Sequence, residues 1–120
     1  MSKEIAIVPE NVPLRFFRKN SWEMLFEFLD AAAEPVDLTD HIVELTIRVE
    51  RHSPQKVAYF STENNTLTYE SDTEVQLLKN WGDSAPAPGV YVYDVQITDP
   101  TGYVQTVLFG KLTIENNVTR

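Results

Sequence analysis

Apolar side chains recur at every second position over most of this chain, and the pattern is sharpest near its end. In Gly89-Val90-Tyr91-Val92-Tyr93-Asp94-Val95-Gln96-Ile97-Thr98-Asp99, residues Tyr91, Tyr93, Val95 and Ile97 point one way and Val92, Asp94, Gln96 and Thr98 the other. That is the period of a strand with one buried face. A second alternating stretch ends in Gly110-Lys111-Leu112-Thr113-Ile114, and Asp99-Pro100-Thr101-Gly102 between them has turn chemistry: Pro presets φ and Gly accepts a positive φ. The two stretches predict a closing β-hairpin. Simple alternation in its second strand puts Tyr103, Gln105, Val107, Phe109, Lys111 and Thr113 on one face, opposite Leu108, Gly110, Leu112 and Ile114.

Upstream, the same period predicts strands at Leu14–Phe17, Trp22–Phe28, Val43–Val49, Val57–Phe60 and Thr66–Tyr69. In the second, Trp22, Met24, Phe26 and Phe28 share a face that reads as core; in the third, Val43, Leu45, Ile47 and Val49 do. Pro9 and Pro13 disfavour a regular element over residues 1–13, so an extended N-terminal arm is expected there, ahead of a β-sandwich over 14–120. One helix is predicted. Ser71-Asp72-Thr73-Glu74 has the form of a capping box, Val75, Leu78 and Trp81 follow at helical spacing, and Gly82 suits a C-terminus. Short strands at regular spacing with turn signals favour an antiparallel sandwich with one short helix before the last two strands.

At 120 residues a single domain with a real core is expected. There is no Cys, so packing and strand pairing carry the stability. The formal charge is −8, which repels phosphate backbones and argues against a nucleic-acid partner. The charge is uneven: residues 1–20 hold four basic side chains (Lys3, Arg15, Arg18, Lys19) against two acidic ones, and the rest is strongly acidic. A basic N-terminal segment on an acidic body can dock head to tail on a neighbouring copy. No apolar run suits a signal peptide or approaches the roughly 20 residues of a membrane span, so a chain made in the cytoplasm and acting off the membrane is expected.

Candidate chemistry is sparse. His41 and His52 have no Ser in a Gly-x-Ser-x-Gly elbow and no Cys to activate. The four glycines stand singly, so no phosphate-cradling loop is present. Asp37 with Asp40, or Asp94 with Asp99, are acid pairs that a shared loop could bring together, and their spacing matches no calcium loop. A non-enzymatic protein without metal or cofactor is therefore expected. Candidates for contact with other chains are Ile5, Ile7 and Val8 in the arm, the cations Arg15 and Arg18, and the aromatics Tyr103 and Phe109.

Gly89-Val90-Tyr91-Val92-Tyr93 resembles the Gly-x-Tyr-x-Cys entry to strand F of immunoglobulin-like domains, with Tyr93 at the cysteine position. The resemblance implies that Tyr91 is a corner residue whose hydroxyl bonds to upstream backbone. A wider resemblance runs through Leu14–Asp30, Glu34-Pro35-Val36-Asp37-Leu38-Thr39, Pro88–Asp99 and the closing Gly110–Ile114 to Val118-Thr119-Arg120. It is similar to small β-sandwich structural proteins of phages and prophages, among them the N-terminal domain of baseplate upper proteins. Those relatives tend to have an Asp-Gly turn where this chain has Ala31-Ala32-Ala33. The resemblance implies an immunoglobulin-like virion protein, a cement (capsid decoration), neck or tail/baseplate adaptor, with other virion proteins as partners and several copies on a symmetric particle. The rival expectation is a carbohydrate- or receptor-binding module using Trp81 and Tyr103 for stacking.

Overall fold

The computed structural model describes residues 10–18, 20–30, 32–81 and 84–116. Ile5, Ile7 and Val8 lie outside them. The described residues form nine strands: β1 (Glu10–Asn11), β2 (Leu14–Phe17), β3 (Trp22–Glu27), β4 (Ile42–Arg48), β5 (Ala58–Ser61), β6 (Leu67–Tyr69), β7 (Glu74–Lys79), β8 (Gly89–Thr98) and β9 (Val104–Glu115). They make two sheets. One has the order β1-β9-β8-β4-β5, with β2 also on β9, and the other the order β3-β7-β6.

Both sheets send their apolar faces into one shared cluster. Trp22, Phe26, Val75, Leu77 and Leu67 come from the smaller sheet, and Val43, Leu45, Ile47, Phe60, Tyr93, Val95, Ile97, Val107, Leu112 and Ile114 from the larger. The result is an all-β, sandwich-like arrangement. Phe16 stacks on Trp22 with ring centroids 4.6 Å apart, tying β2 to the opposite sheet. The predicted alternation of β4 and β8 holds for Val43, Leu45, Ile47, Tyr93, Val95 and Ile97, all buried, but not for Val49, which was expected on the same core face and instead lies past the end of β4, 61% exposed. Not every pairing is antiparallel: β1 and β2 run parallel to β9. A parallel pair needs a long crossover, and here the whole intervening chain supplies it.

The predicted helix is not formed; residues 74–79 are a strand. Two periods overlap in this sequence. A helix would bury Val75 with Leu78, whereas the strand buries Val75 and Leu77 and leaves Leu78 61% exposed. The strand prevails because β7 is the central member of its sheet, pairing β3 on one side and β6 on the other; a helix would leave both without a ladder, and tertiary pairing overrides local propensity. The capping-box residues do meet. Ser71 Oγ donates to Glu74 Oε1 at 3.1 Å, but the contact belongs to the turn from β6 to β7, closed by Glu70 N–H on the Glu74 carbonyl.

The closing hairpin contains a bulge. Val95 pairs with Leu108 and Gln96 with Thr106, so β9 has Val107 as an extra residue. One added residue reverses the face of everything beyond it. Val107 is therefore buried together with Leu112 and Ile114. The expectation that Tyr103 and Phe109 share a face is overturned, because Phe109 stays with Lys111 and Thr113 on the outer face.

Candidate functional site

Cross-strand register builds the outer face of the larger sheet in rows. Lys111 lies beside Val92 and Val92 beside Arg48; in the next row Phe109, Asp94, Thr46 and Tyr59 follow one another. Over these rows is a shallow groove of about 600 Å³, lined also by Arg51 and His52 from the loop after β4 and by Asn11 from β1. An aromatic ring thus sits among several cations on a protein whose net charge is −8.

The charges within the face are unequally engaged. Arg48 Nη1 lies 3.8 Å from Asp94 Oδ2, both half-buried. Burial pushes the Asp94 carboxyl above its ordinary value, and the neighbouring Arg48 only partly offsets this. The Tyr59 hydroxyl donates to the Glu44 carboxylate, which raises the tyrosine pKa, and Lys56 Nζ stands 4.4 Å over the Tyr59 ring. Arg15 faces out beside Thr113, 3.8 Å from Glu115. Arg51 and Lys111 are exposed, and among the described residues no ion pair engages either.

One rim of the groove depends on a close approach. Segment 10–12 is docked on β9, with Val12 N–H donating to the Phe109 carbonyl at 2.9 Å. The Tyr93 hydroxyl reaches out of the core to the Val12 carbonyl at 2.6 Å, and burial raises its pKa to about 12. Gly110 (φ 155°) makes room: a Cβ there would lie 2.5 Å from the Val12 carbonyl oxygen. Neither contact is visible in the sequence, where Gly110 and Val12 are almost a hundred residues apart and the only hint is a lone glycine inside a strand.

The other candidates lie elsewhere. Tyr103 is exposed at the hairpin turn, its N–H bonded to Asp99 Oδ1. The Arg18 guanidinium donates to the carbonyls of Pro86 and Ala85, stapling the connector ahead of β8. Tyr91 donates to the Ala87 carbonyl at 2.5 Å, an upstream backbone bond of the corner type. Trp81 packs edge-on against Trp22 and Phe60, with centroids 5.1 and 6.1 Å away.

Asp37 and Asp99 each cap their own turn, through Thr39 and Thr101, and the side-chain hydroxyl bonds hold both carboxyls below the ordinary value. Among the described residues no group of three or more His, Asp or Glu could hold a metal ion. No helix there is long and apolar enough to cross a membrane.

No known family model matches this chain, and no curated protein matches it at a significant level.

Proposed function

We propose that this chain is a non-enzymatic docking module of a phage particle, an immunoglobulin-like sandwich present in several copies as a cement, neck or tail/baseplate adaptor. The observation that carries the reading is the groove: a broad sheet face with Phe109, Arg48, Arg51 and Lys111 together, on an otherwise acidic protein. Aromatic and Arg side chains are the residues enriched where proteins meet. The immunoglobulin-like part rests on the strand order, one sheet of β1/β2-β9-β8-β4-β5 over another of β3-β7-β6, and on the Tyr91 bond to Ala87. The phage part rests on the sequence resemblance alone. Trp81 favours this reading over sugar stacking, because its ring is packed on Trp22 and Phe60.

Weak contacts repeated over many tethered copies sum to firm attachment. Immunogold electron microscopy on purified particles, with antibody to this chain, tests the proposal. Gold at a regular position on head or tail is the expected result; unlabelled particles with the chain left free in the lysate would overturn it.

A further inference from the structure

The groove has a complement on the same molecule. The outer face of the smaller sheet presents Glu23, Leu25 and Glu27 from β3 beside Leu78, Gln76 and Glu74 from β7. Leu25 and Leu78 are among the most exposed large apolar residues, at 56% and 61%. No strand position on this face is basic, and Glu27 stands directly opposite Glu74. Like charges paired across strands are destabilising, and cations brought against this face relieve that repulsion.

The larger sheet has the cations. Five of the ten basic residues, Arg15, Arg48, Arg51, Lys56 and Lys111, belong to its outer side, and three of its acids are engaged: Glu44 by Tyr59, Asp94 by Arg48, Glu115 by Arg15. Arg51 and Lys111 remain for an incoming carboxylate, and Phe109 and Val92 between them give apolar surface for leucines.

We propose that the occupant of the groove is a second copy of this chain, docked by its Glu23/Glu27/Glu74 face with Leu25 and Leu78 against Phe109. The proposal rests on the multi-copy reading above and names the surfaces that join the copies. The two faces lie on opposite sides of one sandwich, so the contact is head to tail and repeats in one direction. Such a contact closes into a ring if the rotation allows and otherwise grows as a filament.

Sedimentation velocity on the full chain, over a range of concentration, tests this. The wild type should self-associate, at least about tenfold more weakly in about 0.5 M salt than in about 0.05 M, because exposed charge pairs are screened. Arg51→Glu with Lys111→Glu should be monomeric, and so should Glu23→Lys with Glu27→Lys; all four positions are exposed, and unchanged thermal unfolding of each variant checks its fold. Mixing the two variants should restore association, since each reversed face then meets its opposite. Variants that assemble like the wild type, or a mixture that stays monomeric, would overturn the proposal. A wild type that is monomeric throughout yet labels the particles overturns this contact and leaves the particle reading standing. Assembly through these faces by a chain absent from particles does the reverse.

Discussion

Ala33 occupies a backbone position that an L-residue with a Cβ rarely takes: its φ is 61°, in the turn where Asp30 Oδ1 accepts from the N–H groups of Ala32 and Glu34. The left-handed region costs a non-glycine residue about 1–2 kcal/mol, and glycine gives part of that back in the entropy of the unfolded chain. Ala33→Gly should therefore stabilise the fold by roughly 0.5–1 kcal/mol, read as a higher midpoint in urea. Gly110→Ala should act the opposite way. The new methyl meets the Val12 carbonyl, so segment 10–12 must shift and the Tyr93 bond to it is lost; a cost of about 1–3 kcal/mol is expected, with faster amide exchange at Val12.

Two aspartates give the acid behaviour of single residues a definite sign. Asp37 and Asp99 are held below the ordinary value of 3.8, so the unfolded chain takes up these protons more readily. Their contribution is present above that value and is lost as pH falls through the folded-state values. Asp94, pushed up by burial, works oppositely: the folded state takes its proton first, and protonation there favours the fold. Asp37→Asn with Asp99→Asn keeps an acceptor in each turn and removes the titration. The loss of stability as pH falls below the ordinary value of 3.8 should become shallower, modestly so because both groups are exposed.

At the scale of elements, strands whose alternation was uninterrupted were legible: β4 and β8 bury Val43, Leu45, Ile47, Tyr93, Val95 and Ile97 as period two selects, and the pattern fails at Val49, past the end of β4. The Asp99–Gly102 turn was legible for the same reason, since Gly102 has φ 92° and closes on the Asp99 carbonyl. Three elements were not legible. β1 pairs with β9 at Glu10–Asn11, inside the stretch where Pro9 and Pro13 argued against a regular element. In β7 the apolar residues satisfy both periods, and only the pairing of β3 and β6 decides between them. In β9 a single extra residue, Val107, turns Gln105 to the face opposite Phe109, and no turn or proline marks it. Substitution separates the two readings of β7. Leu77→Ala should cost about 2–5 kcal/mol and Leu78→Ala within about 0.5 kcal/mol, measured by denaturant unfolding; a helix would make Leu78 the costly position.

For the molecule as a whole, the groove was partly legible. Phe109 was a candidate from residue type, but Arg48, Arg51 and Lys111 come together only through the β4-β8-β9 register and the loop after β4. Sequence distance hides such a face, because side chains four strands apart in the chain become neighbours 5 Å apart in a sheet only by pairing, at about 4.8 Å per strand. That register builds the basic, aromatic surface, and the β3-β7 register of the other sheet builds the acidic, leucine-bearing one on the opposite side of the sandwich.

The central claim is that copies of this chain assemble on a particle through contacts made by the groove. Its most direct test counts copies of this chain per purified particle by quantitative mass spectrometry, for the wild type and for folded Arg51→Glu with Lys111→Glu. The account predicts a fixed copy number consistent with particle symmetry for the wild type and near-complete loss for the variant. Equal copy numbers for both, or a wild type absent from particles, would contradict it.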